Sequence, residues 1–248
     1  MLRDPCSAAD TEACSRICPS YIALHGLNGA GGRVGAANVP TAYNTLTLAK
    51  NPARESQLTV FVALEEYVAT FTRQFDSGSS VPVKSLYLYS ATPGTGKTTT
   101  AAALLNEWLT VNYIGSLQRN RQADERPAYF LDVNAWQTDY NAFNRPRVPD
   151  EIAAPAAARY YAAQRIAQTV PFLVADDLGV RDASEAFRAD LHTVINARVA
   201  AELPTVYTSN IPLAELGSLF DRRLADRVRD LCVEFTFVGE SKRGLRNA

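Results

Sequence analysis

"YSATPGTGKTTT", residues 89–100, is the stretch of this 248-residue chain that decides the fold. It follows the pattern of a phosphate-binding loop, G-x-x-x-x-G-K-[ST], with Ala91 standing where the first glycine is expected. The apolar run before it, residues 85–90, predicts a β-strand, and the alanine-rich run after it predicts a helix. Because this pattern functions between a strand and a helix, we predict an α/β fold that binds a nucleoside triphosphate.

The loop residues have distinct expected roles. Gly94 and Gly96 let the backbone N–H groups turn toward the phosphates, and the next helix adds its positive N-terminal end. Lys97 is expected to contact the β- and γ-phosphates, and Thr98 to bind Mg²⁺. The predicted cofactors are therefore ATP and Mg²⁺. The predicted nucleotide-binding residues of the loop are Ala91, Thr92, Pro93, Gly94, Thr95, Gly96, Lys97, Thr98 and Thr99.

Five short apolar runs have the composition of β-strands, and helical segments lie between them. The runs cover residues 85–90, 128–133, 171–176, 204–209 and 233–237. Strands that alternate with helices indicate a parallel sheet covered by helices on both faces. We therefore predict a five-stranded parallel sheet flanked by helices.

Two acidic residues follow the third of these runs, in "PFLVADDLG". Asp176 and Asp177 are placed at the carboxyl end of a strand, where open α/β sheets bind their ligands. We predict that Asp176 holds Mg²⁺ through water and that Asp177 orients or deprotonates the attacking water.

The fourth run ends in "TSN", within "PTVYTSNIPLAEL". Taken alone, such a tripeptide after a strand is typical of a turn. Coming after the loop and the acidic strand, it places a polar side chain between them. We predict that Asn210 forms a hydrogen bond with the γ-phosphate or the attacking water.

Together these motifs resemble the AAA+ ATPases, and more narrowly the DnaC-type bacterial helicase loaders and the related IstB-type transposition helpers. The resemblance covers about residues 55–243. It is carried by four blocks in the family's order, "DDLGVRDASEAF", "PTVYTSNIPLAEL", "FDRRLADRVRDLC" and "FVGESKR". It implies an ATPase that assembles into a homo-oligomer with ATP at the subunit interfaces. Since related ATPases often have Glu where this chain has Asp177, we expect slow hydrolysis alone, stimulated by assembly or DNA.

The resemblance also implies roles for three arginines. In "RRLADR", Arg223 and Arg227 match a helix that faces the neighbouring subunit's nucleotide, where an arginine supplied in trans is catalytic. Alternatively, both are on a solvated helix face and pair with Asp221 and Asp226. Arg243 matches an arginine that senses the nucleotide of its own subunit.

Loaders of this family contact single-stranded DNA with the region that corresponds to residues 134–168. Its arginines offer charge for phosphates, and its tyrosines offer rings for base stacking. The alternative is an amphipathic helix that packs the tyrosines and solvates the arginines. The candidate DNA-binding residues are Arg145, Arg147, Arg159, Tyr160, Tyr161 and Arg165.

The N-terminal region contains a cysteine and histidine group, formed by Cys6, Cys14, Cys18 and His25. Three thiolates and one imidazole suit a tetrahedral structural zinc ion, although the spacings are looser than paired C-x-x-C and leave unligated thiols open. "CPSYIALHG" resembles the N-terminal module of phage-borne loaders, which docks on the helicase. We predict two parts: residues 1–50, this zinc module with a Gly-rich linker, and residues 51–248, the ATPase domain.

We expect a cytoplasmic protein, because the start of the sequence lacks the apolar core of a secretory signal. The nearly neutral charge offers no global attraction for nucleic acid. The net charge is −1, and no apolar run is long enough to span a membrane. The leading hypothesis is an ATP-dependent loader of a hexameric replicative helicase onto single-stranded DNA during replication initiation. The alternatives are an IstB-type helper of a DNA transposase, a small-molecule kinase, and an adaptor that uses ATP as a slow switch.

Overall fold

The computed structural model describes residues 18–76, 82–179, 183–218 and 222–241. The helices are α1 (Pro19–His25), α2 (Gly32–Ala36), α3 (Leu58–Ala69), α4 (Lys97–Gln118), α5 (Val133–Asn144), α6 (Asp150–Thr169), α7 (Glu185–Ala200) and α8 (Arg222–Leu231). The strands are β1 (Ser85–Tyr89), β2 (Ala128–Asp132), β3 (Phe172–Asp176), β4 (Thr205–Ser209) and β5 (Cys232–Thr236). Short 3₁₀ turns lie at Thr41–Tyr43, Arg54–Ser56, Thr70–Phe75 and Leu213–Ser218. In this described part of the chain, no helix is long and apolar enough to cross a membrane.

The five strands form one parallel sheet in the order β2-β3-β4-β1-β5. The predicted five-stranded parallel sheet is therefore confirmed. Because β1, β3 and β4 are neighbours and run in the same direction, their carboxyl ends meet at one edge. That edge carries the phosphate loop, the two acidic residues and the "TSN" tripeptide.

Two hydrophobic clusters cover the two faces of the sheet. On one side, Phe61, Leu64 and Val68 of α3 pack with α4 and with buried residues of the preceding stretch, residues 32–57. On the other side, helices α5 to α8 pack against β2, β3 and β4. Burial on both faces explains why the inner strands are continuous apolar runs instead of alternating ones.

The N-terminal segment, residues 32–57, packs onto the sheet, although residues 32–50 fall in the part predicted as the zinc module and its linker. Val34, Leu48 and Ala53 are buried in the same cluster as α3 and α4. Beside the edge strand β2, the Phe130 amide donates to the Ala37 carbonyl over 2.8 Å. The segment therefore covers part of an edge that would otherwise be open to pairing with other chains.

The glycine-rich composition of this region serves a tight turn. A Cβ atom at Gly32, which has a φ of 56°, would lie 2.8 Å from the Ala23 carbonyl oxygen. Only glycine allows α1 and α2 to approach so closely in this conformation. The glycine-rich composition that we interpreted as a linker thus serves close packing at this turn.

Candidate nucleotide site

The phosphate loop connects β1 to α4 through two left-handed glycines. Gly94 has a φ of 83° and Gly96 a φ of 106°, a region that other residues rarely adopt. A Cβ atom at Gly96 would also lie 2.3 Å from the Cβ of Ala53, in the N-terminal segment. The loop conformation therefore depends on glycine at this position for two independent reasons.

Lys97 begins α4 and is buried, with 7% of its surface exposed. Its ammonium donates to the Ser90 carbonyl over 3.5 Å, and it lines the cavity at the carboxyl edge of the sheet. A buried ammonium beside a helix N-terminus makes this region attractive to anions. This location in the cavity is consistent with the predicted contact between Lys97 and the β- and γ-phosphates.

Asp176, at the end of β3, is the centre of a hydrogen-bond network. It accepts a hydrogen bond from the Thr98 hydroxyl at 3.2 Å and one from the Thr208 hydroxyl at 2.7 Å. Burial raises the pKa of its carboxyl group to about 6, although the two hydroxyl groups act in the opposite direction. The structure therefore brings the two predicted magnesium residues, Thr98 and Asp176, into direct contact, and both offer the oxygen atoms that Mg²⁺ prefers.

The Asp177 carboxylate has a different hydrogen-bond partner from that of Asp176. Its carboxylate accepts from the Asn134 side-chain amide over 2.7 Å, and its backbone amide donates to the Thr208 hydroxyl over 2.8 Å. Its φ of 62° is left-handed, which Asp tolerates better than most residues. These bonds fix the position of the carboxylate at the rim of the cavity.

The sequence analysis missed Thr208 and Asn134 as functional residues. Thr208 links Asp176 to Asp177, whereas the prediction had chosen Asn210, which also lines the cavity. Asn134 comes two residues after Asp132 ends β2. The rule that polar residues after parallel strands meet at one edge would have found it.

The cavity around these residues has a volume of about 820 Å³, within the usual range for ligand pockets. Tyr43, Pro52 and Ala53 of the N-terminal segment form one wall, which the sequence did not predict. Ala91 and Thr92 do not line it, and Arg243 lies outside the described residues. The other lining residues are Pro93, Gly94, Thr95, Gly96, Lys97, Thr98, Thr99, Asp132, Asn134, Asp176, Asp177, Thr208 and Asn210.

Arg223 and Arg227 are exposed on α8 and do not line the cavity of their own chain. Arg227 donates to the Asn196 side chain on α7 over 3.1 Å. Asp226 forms an ion pair with Arg229, at 3.1 Å. Asp221, the other carboxylate that we considered as a partner, lies outside the described residues.

The candidate DNA-binding residues differ in burial: one is in the core and the others are exposed. Tyr160 is fully buried, stacks on Trp136 at a centroid distance of 4.7 Å, and donates its hydroxyl to Asp190. It is therefore a core residue and has no face for a base, so the structure removes it from the candidate DNA surface. Arg159 is exposed but binds Asp139 with both Nε and Nη2. The remaining candidates are exposed, namely Arg145, Arg147, Tyr161 and Arg165.

The proposed zinc group is only partly described. Cys6 and Cys14 lie outside the described residues, whereas Cys18 precedes α1 and His25 ends it. The His25 ring packs on Tyr21 at a centroid distance of 4.5 Å. Within the described ranges, no group of three or more His, Cys, Asp or Glu residues could hold a metal ion. The zinc ligands therefore remain a prediction.

Comparison with known proteins gives structural relatives only. No protein-family model and no curated protein matches the sequence. A crystal structure described as a primosome component from Streptococcus pyogenes serotype M3 is 25% identical, with 84% of this chain and 93% of that chain covered and a TM-score of 0.51. DnaI is 19% identical, with 82% of this chain and 94% of that chain covered and a TM-score of 0.55. The DnaC helicase loader is 18% identical, with 80% of this chain and 100% of that chain covered and a TM-score of 0.52.

These proteins are matched over nearly their whole length, and none of the comparisons tests the link to IstB-type helpers. The chain thus shares the fold of DnaI and of the DnaC helicase loader, which agrees with the resemblance to DnaC-type proteins that its motifs indicated.

Proposed function

We propose that this chain binds and hydrolyses ATP and uses it to place a hexameric replicative helicase on single-stranded DNA. One observation carries the proposal: Asp176 joins Thr98 of the phosphate loop to Thr208 of β4, in a fold shared with the DnaC helicase loader. A structural role alone would not require this buried carboxylate at the mouth of a cavity with a buried lysine.

The chemistry follows from the positions of the side chains. Lys97 and the loop amides bind the phosphates, while Thr98 and Asp176 would hold Mg²⁺, which screens the charge of the phosphate oxygens. Asp177 orients the attacking water, and Asn134 keeps its carboxylate in place. Arg227 or Arg223 is supplied to the site of the neighbouring subunit, which makes hydrolysis depend on assembly.

The surface available for DNA is smaller than the sequence indicated. It consists of Arg145, Arg147 and Arg165 with the half-exposed ring of Tyr161, because Tyr160 is buried and Arg159 is held by Asp139. We propose that these arginines contact the phosphates of single-stranded DNA. Binding should therefore weaken as salt is raised, since cations on the DNA are released when arginines replace them.

The first test addresses ATP itself. Lys97→Ala removes the ammonium from the cavity and should abolish binding of a fluorescent ATP analogue, measured by anisotropy. Lys84→Ala, at an exposed position outside the cavity, is the matched control and should bind normally. Equal affinity in the two variants would rule out the assigned site.

The second test addresses the partner. The tagged chain is used to capture proteins from host lysate with and without a non-hydrolysable ATP analogue. A hexameric helicase, lost when residues 1–17 are deleted, supports the loader proposal and a docking role for the N-terminal region. The deletion must stop before residue 32, because Val34 and Leu48 belong to the core. Capture of a transposase would instead support the transposition helper.

The same deletion tests zinc. Elemental analysis of the freshly reduced full-length chain should give one zinc ion per chain, and the chain without Cys6 and Cys14 should give none. Absence of zinc from the full-length protein would leave four free thiols and remove the metal from the proposal.

A further inference from the structure

The two edges of the sheet differ in how they are covered. At β2, the amide of Phe130 donates to the Ala37 carbonyl over 2.8 Å, and the carbonyl of Phe130 accepts from the Asn38 side chain over 3.0 Å. At the opposite edge, β5 pairs with β1 alone among the strands that the structure describes. The outer side of β5 is therefore a place where a further strand could be added.

The backbone groups that β5 turns away from the sheet belong to Glu234 and Thr236. The Phe237 amide donates inward, to the Tyr89 carbonyl of β1, over 2.7 Å. Because the backbone groups of successive residues in a strand point to opposite sides, those of Thr236 and Glu234 point outward. Among the residues that the structure describes, none forms a hydrogen bond with these outward groups. The edge thus presents two donors and two acceptors in the geometry of a strand.

The next outward position shows how this edge pairs with an amide group. The Val238 amide donates to Gln57 Oε1 over 3.3 Å, and Gln57 Nε2 donates to the Val238 carbonyl over 2.6 Å. Two residues of neighbouring antiparallel strands exchange the same pair of bonds. Gln57 is buried and so closes the carboxyl end of the edge. An added segment would therefore bind along Glu234 and Thr236 and stop at Val238.

The side chains of β5 define the chemistry of such a segment. Glu234 is exposed in the middle of the strand, and no cation in the described part of the chain forms an ion pair with it. Partial burial raises the pKa of its carboxyl group. A cation directly opposite Glu234 is favoured, and a second carboxylate there is disfavoured. Val233 and Thr236 are also exposed, and β-branched residues pack well against similar residues of a neighbouring strand.

We propose that the outer edge of β5 binds an extended segment of a partner protein, with a lysine or arginine opposite Glu234 and β-branched residues beside it. The segment forms backbone hydrogen bonds with Glu234 and Thr236, and its cation pairs with the Glu234 carboxylate. A second copy of this chain is a poorer occupant, since its own β5 strand offers Glu234 a carboxylate and no cation. The residues that line the nucleotide cavity include none of β5, so the proposal is independent of ATP binding and of the identity of the helicase.

Hydrogen exchange of the full-length chain labelled with ¹⁵N tests the proposal. The probe is an acetylated Thr-Val-Lys-Val-Thr amide, and its Thr-Val-Glu-Val-Thr analogue is the control for charge. The lysine peptide at saturation should slow exchange of the Glu234 and Thr236 amides about tenfold or more, because each gains an acceptor. The amide of Phe235, which already faces β1, should not change. The glutamate peptide should bind about fivefold more weakly.

Two variants make the result specific. Glu234→Lys should reverse the preference, so that the glutamate peptide binds about fivefold better than the lysine peptide. Glu240→Lys makes the same change of charge at an exposed position beyond the strand and should keep the original preference. Thr236→Pro removes one outward N–H and should weaken both peptides about fivefold or more, since proline is tolerated on an edge strand but cannot donate.

Equal affinity of the two peptides, no reversal in Glu234→Lys, or no slowing of exchange at Glu234 and Thr236 would overturn the proposal. Analytical ultracentrifugation of the free chain tests the second copy as occupant. Thr236→Pro should leave the mass of the free chain unchanged. A dimer that Thr236→Pro dissociates, with the Glu234 and Thr236 amides already protected in the absence of peptide, would assign the edge to a second copy of this chain instead.

Discussion

Two buried carboxylates, Asp176 and Glu107, lie in two separate cavities of this chain, and their surroundings differ. Asp176 receives hydrogen bonds from two hydroxyl groups, whereas Glu107 receives one from a backbone amide. Burial raises the pKa of both carboxyl groups. Burial alone therefore does not mark a catalytic acid. The hydroxyl partners, and the phosphate loop that supplies one of them, give Asp176 its assignment.

The largest expected effect is the loss of turnover in Asp176→Asn. Asn keeps the size of the side chain but removes the negative charge that Mg²⁺ requires, so the ATPase rate should fall about 100- to 1000-fold. Steady-state phosphate release by the assembled protein measures this, with Lys84→Ala as the control. A rate within twofold of the wild type would show that Asp176 does not act on the metal.

Thr208→Val tests whether the hydroxyl partners make the difference between the two acids. The change removes the donor to Asp176 and the acceptor of the Asp177 amide, and keeps the shape of the side chain. We expect about 1–3 kcal/mol lower free energy of unfolding in urea and a further rise in the pKa of Asp176. Thr205→Val would serve as a poor control because Thr205 binds Arg198, so the exposed Thr193→Val is the better one.

The pKa of Asp176 predicts a pH dependence of ligand binding. Its value of about 6 lies above the ordinary 3.8, so the folded chain holds this proton more tightly than the unfolded chain. The group therefore contributes stability at low pH, and that contribution is lost as the pH rises through about 6. Mg²⁺ requires the ionised form, so affinity for Mg²⁺-ATP should fall roughly fivefold between pH 6 and pH 5.

Isothermal titration at several pH values measures this dependence. The Asp176→Asn variant shows how much of the change comes from ATP itself, which also takes up a proton in this range. An identical pH profile in the variant would mean that another group titrates.

The smallest expected effect is on the second carboxylate. Glu107→Gln removes the cost of burying a charge and preserves the acceptor for the Leu48 amide, so at pH 8 the free energy of unfolding should rise by about 1 kcal/mol. Urea denaturation at pH 8 and pH 5 measures it, and the gain should shrink at pH 5, where Glu107 is protonated more readily. A loss of stability at pH 8 would mean that a cation already compensates Glu107 within the chain.

The same contrast explains which features the sequence could predict. The phosphate loop, Asp176 and Asp177 follow local patterns in which a strand ends and a polar residue begins, and such patterns are visible without the fold. Tyr160 and Glu107 lie inside helices, where the sequence does not show which side chain is buried against which neighbour. Thr208 was passed over in favour of Asn210, because the choice between them depends on the distances between β3 and β4. The packing of residues 32–57 was also missed, because a composition rich in glycine and asparagine serves tight turns as well as mobile linkers.

The contact between the N-terminal segment and β2 also has a consequence for how the molecule is made on the ribosome. Asn38 donates its side-chain amide to Phe130, a residue 92 positions later in the chain. Tyr43, Pro52 and Ala53, which form one wall of the ATP cavity, are therefore synthesised before the other residues of that cavity. Because Asp176 and Thr208 emerge later still, a nascent chain has no complete ATP cavity until most of the protein has been synthesised. ATP should accordingly stabilise the finished chain and have little effect on its early folding intermediates.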